Sequence, residues 1–164
     1  MPHFARILAL GLLALCLAAP AGAAEKVLVF GRAADSTFLD PAKYLDNESA
    51  MVIENIFEGL VRYADDSTRI EPALAESWDT SPDGRTWTFH LRPDVRFSDG
   101  APCDAEAAAF SFQRRIDPAH PFYREEFARM DSSLKNIARV EAVSPRTLRI
   151  TLKEPYAPLL STLA

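Results

Sequence analysis

Residues 71–100 read EPALAESWDTSPDGRTWTFHLRPDVRFSDG, and within them Ser81-Pro82-Asp83-Gly84 is where the chain has to reverse. Proline supplies a fixed φ for the turn, and glycine accepts a positive φ without a Cβ clash. From Thr86 to Leu91 the residues alternate, with Trp87, Phe89 and Leu91 on one side and Thr86, Thr88 and His90 on the other. That is the period of a half-buried strand. Trp78, with the small residues Ala73 and Ala75, marks a partner segment before the turn. Asp99-Gly100 marks a second reversal and bounds a short strand around Val95 to Phe97. The stretch therefore predicts an antiparallel meander with aromatic side chains in its core.

Upstream, Val27 to Gly31 is a β-rich apolar run that reads as a first buried strand, and Ala33 to Pro41 is a loop. A helix follows, capped by Asp46 or Asn47. Its stripe is Val52, Ile53, Ile56, Phe57 and Leu60, with Gly59 near the end. Downstream, Asp104 caps a helix that starts at Ala105, buries Ala108, Phe112 and Ile116, and stops at Asp117-Pro118. A helical segment is expected around Glu125 to Met130. Strands then run from Ile137 to Val143 and Thr147 to Leu152, joined at Ser144-Pro145, with Leu148, Ile150 and Leu152 inward. Helices and antiparallel strands mix, so the fold class is α+β or mixed α/β.

The order PALAESW, turn, TWTFHLR, VRFSDG resembles the signature of the family 5 extracellular solute-binding proteins, the dipeptide- and oligopeptide-capturing receptors of bacterial ABC importers. Further blocks agree in order and spacing: Leu39-Asp40-Pro41, Asn55 to Tyr63, Ala105-Glu106 leading to Phe110 to Arg114, Asp117-Pro118, and Leu148 to Leu152 with Pro155. The resemblance implies an incomplete periplasmic-binding-protein-like fold, with residues 25–70 in the first lobe and 71–164 in a smaller α+β domain. It also implies that this chain is an N-terminal part of a longer receptor that closes around ligand between two lobes. Alone it is then expected not to bind dipeptides at micromolar affinity.

The first residues read as a secretory signal peptide, residues 1–24. Arg6 is the positive n-region, Ile7 to Ala19 the apolar run, and Pro20 to Ala24 the small-residue cleavage region, cut after Ala23 or Ala24. An uncleaved anchor and a lipid anchor through Cys16, where Leu13-Ala14-Leu15-Cys16 half resembles a lipobox, are the alternatives. The expected location is periplasmic. The chain has 18 Lys and Arg against 23 Asp and Glu, and losing Arg6 makes the balance one unit more acidic. That balance argues against nucleic acid or an anionic membrane as partner. Cys103 is left alone, so no internal disulfide is expected, and its place beside a helix start favours a packed apolar role.

Catalytic and metal templates fail on spacing. His90 and His120 stand 30 residues apart, and no HxxxH, CxxC or carboxylate–histidine cluster occurs. A thiol hydrolase pairing Cys103 with His90 or His120 lacks a third orienting group and an oxyanion loop. No catalytic residue, metal or cofactor is expected, and the chain is expected to act as a monomer.

A receptor for peptides of varied sequence needs main-chain hydrogen bonding and roomy side-chain pockets. The family resemblance puts such contacts in Tyr44-Leu45-Asp46-Asn47, with Leu45 and Asn47 foremost. The same segment reads equally as the cap of the following helix. The second candidate is Phe122-Tyr123, since an aromatic near this point lines the cleft of the family; the other reading is that the two rings cover a helix. By the same resemblance the partners are a peptide ligand and ABC permease subunits. The alternatives are a receptor of this class for a nickel complex, glutathione, an opine or a sugar, and a truncated interaction module that binds no ligand.

Overall fold

The computed structural model describes residues 26–126 and 132–164. Residues 1–24, expected to be a signal peptide, and with them Cys16, lie outside the described residues, as does most of the helix expected from Glu125 to Met130. The chain divides into Met1–Gly31 and Arg32–Ala164. In the first unit, Val27 to Phe30 has no regular secondary structure and its side chains are exposed. The buried strand expected there is not formed. A β-prone apolar run becomes a strand only when a neighbour takes its backbone groups, and none of the described residues does so.

The second unit runs α1 (Asn47–Ile56), β1 (Val61–Tyr63), β2 (Ile70–Pro72), β3 (Ala75–Thr80), β4 (Thr86–Leu91), α2 (Ala105–Ile116), a 3-10 turn (Ser132–Asn136), β5 (Ile137–Ser144), β6 (Thr147–Leu152) and α3 (Leu159–Leu163). β1 and β2 form a two-stranded ribbon. The other four strands make one antiparallel sheet in the order β3-β4-β6-β5. The fold class is mixed α/β with antiparallel sheets, as the sequence implies.

The turn at Ser81 to Gly84 forms as its residues dictate. Gly84 has φ +68° and its N–H donates to Ser81 O at 2.8 Å, while Ser81 N–H reaches Thr86 O at 2.9 Å. β4 then presents Trp87, Phe89 and Leu91 to the core, with Phe89 wholly buried. Its neighbour β6 sets Ile150 opposite Trp87 and Leu148 opposite Phe89. Val140 and Ile137 of β5 complete the layer, and α2 covers it with Ala105, Ala108 and Ala109. Phe112 and Ile116 pack against the edge of this core rather than inside it. Each large side chain buried here contributes about 1.5–3 kcal/mol. The three alanines bring the helix backbone close to the sheet, and their helix propensity holds the interface although they bury little area.

Two expectations are corrected. Val95 to Phe97 is not a third strand of a meander: it makes a single bridge, Arg96 to Pro102, inside a small loop closed by Phe97 N–H to Ala101 O and Cys103 N–H to Val95 O. Asp94 at φ 57° turns the chain away after β4, and β6 takes the free edge of β4 over Thr86 to His90. The stripe from Val52 to Leu60 is likewise not one helix. Phe57 N–H makes the last helical bond, to Ile53 O, and Phe57 is already extended. Beyond it, Gly59 O and Leu60 O accept from Leu74 and Ala75 N–H, so tertiary pairing takes the carbonyls and ends the helix. Ile53 and Leu60 are buried; Ile56 and Phe57 are exposed.

Candidate ligand-binding site

The loop from Thr37 to Asp46 is built on polar side chains that use their oxygens on the backbone. Ser49 is fully buried, and its Oγ accepts from Thr37 N–H at 3.0 Å and Phe38 N–H at 3.3 Å. It donates to Asp46 Oδ2 at 2.9 Å, and Asp46 Oδ1 accepts from Ser49 N–H at 2.7 Å as the N-cap of α1. Hydrogen bonds from Thr37 and then Ser49 hold the Asp46 carboxyl below the usual carboxylate range. This is the capping reading of the segment, realised by Asp46 and not by Asn47. Leu45 and Asn47, on either side of it, are exposed, and Tyr44 is half-buried.

Asp40 fastens the loop to the sheet domain. Its two carboxylate oxygens accept from Arg114 Nη1 and Nη2 at 2.8 and 2.6 Å, and Oδ1 also accepts from Ala42 N–H. The Arg114 guanidinium is the main reason the Asp40 carboxyl sits below its ordinary range, and Asp40 in turn raises Arg114. Nearby, Lys43 Nζ lies 4.3 Å from the centre of the Phe38 ring and 3.2 Å from Glu126 Oε1. Glu126 follows Phe122-Tyr123 by a few residues, so this ion pair brings together the two segments that hold the candidate residues.

Phe122 is exposed, packs edge-on to Phe110 with ring centres 5.7 Å apart, and lies 6.0 Å from His120. Tyr123 is half-buried and its N–H donates to His120 O. None of Asp40, Lys43, Ser49, Arg114 and Glu126 was a candidate site residue in the sequence, although Asp40 and Arg114 lie in blocks that carry the family resemblance. The Asp46-to-Ser49 spacing carries a local signal, a cap and the third helical residue. The contact of Asp40 with Arg114 spans 74 positions and has no local signal.

Elsewhere, burial and then Asp104 raise the pKa of Cys103, and the thiol is half-buried. His90 Nε2 lies 2.9 Å from Asp79 Oδ2 on the open, polar face of the sheet. Among the described residues no group of three or more His, Cys, Asp or Glu is placed to hold a metal ion, and no helix is long and apolar enough to cross a membrane.

Comparison with known proteins gives these arrangements a context. The profile of the bacterial extracellular solute-binding proteins, family 5 Middle, matches residues 69–164. The probable D,D-dipeptide-binding periplasmic protein DdpA of Escherichia coli (strain K12) is 37% identical over 166 residues, which cover 93% of this chain and 30% of the relative. The glutathione-binding protein GsiB of Escherichia coli O1:K1 / APEC is 35% identical over 162 residues, covering 99% of this chain and 30% of the relative. Among solved structures, the ABC transporter-associated periplasmic binding protein DppA from Helicobacter pylori, in complex with peptide STSA, superposes with a TM-score of 0.68 at 37% identity. That match covers 79% of this chain and 28% of DppA. The chain thus spans less than a third of the length of these relatives, and its fold is a part of theirs. The chain belongs to the family 5 bacterial extracellular solute-binding proteins.

Proposed function

We propose that this chain forms one wall of the ligand site of a periplasmic peptide receptor that delivers its ligand to ABC permease subunits. The observation that carries the reading is the pair of contacts, Asp40 with Arg114 and Lys43 with Glu126, that ties Tyr44 to Asn47 and Phe122-Tyr123 to one region of the molecule. In this reading Leu45 and Asn47 offer main-chain and amide groups to a peptide, as strand-like recognition of varied sequences requires. Tyr44 and Tyr123 pack beside it, Phe122 presents an apolar ring, and Asp46 holds the loop in shape. Residues 25–70 belong to the first lobe and 71–164 to the smaller domain, after a signal peptide over 1–24. The receptor binds and releases its ligand as a monomer and catalyses no reaction. It takes no nucleic acid, metal or cofactor.

Dipeptide-, di/tripeptide- and peptide-binding names among the relatives support a peptide ligand, while a glutathione-binding relative and neighbours solved with Ni(L-His) and mannopinic acid represent the other ligands of this class. Saturation-transfer NMR of the chain tests ligand class directly. Mixed di- and tripeptides are expected to give transfer signals at millimolar concentration, with glutathione weaker. A nickel–histidine complex or a monosaccharide is expected to give none; transfer to the sugar alone would overturn the reading.

A further inference from the structure

Carboxylates close the loop from Thr37 to Asp46, whereas the core of the sheet domain holds none. Thr37 Oγ1 and Ser49 Oγ both donate to Asp46 Oδ2, and Ser49 Oγ accepts from Thr37 and Phe38 N–H. One carboxylate and one buried hydroxyl therefore bring the two ends of the loop together. Midway along it, Asp40 accepts from both Nη atoms of Arg114 and from Ala42 N–H. Among the described residues three carboxylates are held below their ordinary range, Asp40, Asp46 and Asp83. Two of them fasten this loop; the third sits in the β3–β4 turn. Ser49 is the one buried polar side chain among the described residues, and the sheet core is apolar, built on Phe89, Leu148 and Ile150. Protonation thus reaches the fastenings of the loop without touching the packing of the sheet.

The groups around the two carboxylates all act in one direction. Asp40 faces Arg114, whose fork is the main cause of its lowered value, and Arg115, both on α2. Asp46 is held by the Thr37 hydroxyl and then by Ser49, at the N-terminus of α1. The other charged side chains around the loop are Lys43, paired with Glu126, Arg32, paired with Asp35, and Glu48 in the first turn of α1. Acid neutralises the carboxylates of both pairs as well, which loosens the loop further. Because the folded-state values of Asp40 and Asp46 are depressed, the fastening is complete above the unfolded carboxylate value, about 3.9, and is lost as pH falls below it through the folded ones.

We infer that this loop is an acid-released latch: protonation of Asp40 and Asp46 frees Thr37 to Asp46 from α1 and α2 while the four-stranded sheet stays folded. Local opening of this kind separates a weakly fastened segment from a stable core. The consequence for ligand rests on the peptide-receptor reading above. With Tyr44 to Asn47 no longer held, that wall loses its shape and the peptide is let go in acid.

The test follows the amides of the full chain by NMR from pH 7 to pH 3. Thr37, Phe38, Ala42 and Ser49 are expected to lose hydrogen-exchange protection roughly fivefold or more below about pH 4, the effect of losing one partly shielded charged fork, while β4 and β6 keep theirs. Asp40→Asn should give Ala42 its acid-form shift already at pH 7 and remove its acid step. Asp46→Asn, which keeps a capping oxygen, should do the same at Thr37 and Ser49. Ala-Ala is expected to bind Asp40→Asn about fivefold more weakly than the parent at pH 6, with the two converging at pH 3.

Loss of protection in the loop and in β4 and β6 at one common pH would overturn the latch, as would a loop that keeps its protection at pH 3. Equal affinity of the two proteins for Ala-Ala at pH 6, with Leu45 and Asn47 shifting, would overturn the link from latch to ligand. An acid-opened loop with no response of Leu45 or Asn47 to Ala-Ala at any pH would overturn the peptide reading and leave the latch standing.

Discussion

The carboxylate of Asp40 and the guanidinium of Arg114 meet as a two-point fork, 2.8 and 2.6 Å, across 74 positions of sequence. Arg114 is held in α2 by the alanine-lined interface with the sheet, so the fork transmits the position of a rigid element to a loop that has no regular structure of its own. Charge-assisted forks are the stronger class of hydrogen bond, and both side chains here are at least partly shielded from water.

Asp40→Asn should cost about 1 kcal/mol of unfolding free energy at pH 7, the low end for a charged hydrogen bond because the site is part-exposed. The pH dependence has a definite sign. The folded-state pKa of Asp40 is depressed, so its contribution is full above the unfolded carboxylate value and is lost as pH falls through the folded one. Denaturant melts of the two proteins should therefore differ at pH 7 and converge in strong acid. A difference that grows on acidification would contradict this.

Ser49→Ala removes the side-chain acceptor of Thr37 N–H and one of the donors to Asp46. Thr37 is exposed, so its N–H can turn to water, and the cost is that of hydrogen bonds lost at a part-buried site, about 0.5–1.5 kcal/mol. The expected result is a loss of that size with faster amide exchange at Thr37 and Phe38, and an unchanged exchange pattern in β4 and β6. Uniformly faster exchange throughout the sheet would show that Ser49 acts on the whole core instead.

Gly59→Ala should be among the more damaging small substitutions. A Cβ there would sit 2.9 Å from Val61 O and 3.2 Å from Leu163 O, both backbone atoms. Overpacking against backbone costs roughly 1–3 kcal/mol. Because α3 lies against β1, with Tyr63 Oη donating to Ser161 O at 3.1 Å, the tyrosine contact should be lost too. A denaturation midpoint equal to that of the parent would contradict the close approach.

Cys103 should react slowly with a thiol reagent at neutral pH, because burial and then Asp104 raise its pKa and keep thiolate scarce. Modification as fast as that of an unfolded control would reopen the thiol-enzyme reading.

Where the sequence was legible, each local signal agreed with the tertiary structure. The proline–glycine turn, the alternation of Trp87, Phe89 and Leu91, the Asp104 cap and the inward Leu148, Ile150 and Leu152 all formed as read. Misreadings came where a distant partner decided the outcome. Val27 to Phe30 has strand composition but no neighbour among the described residues, and the helix after Asp46 stops where Leu74 and Ala75 claim its would-be carbonyls. Val95 to Phe97 lost its place in the sheet to β6, which is remote in sequence. The same holds for the site. Leu45, Asn47, Phe122 and Tyr123 were reached through family resemblance. The tie between the segments that carry them was not legible, because it consists of Asp40 with Arg114 and Lys43 with Glu126, and no local pattern encodes either pair.

The central claim is that Tyr44 to Asn47 and Phe122-Tyr123 make one wall for a peptide. The direct measurement is an amide shift map of the chain titrated with Ala-Ala to millimolar concentration. The account predicts shifts concentrated at Leu45, Asn47 and Tyr123, diminished together in Asp40→Asn, with the β5–β6 turn at Ser144 and Arg146 unmoved. Shifts centred on that turn or on the open sheet face around His90, with the two segments silent, would contradict it.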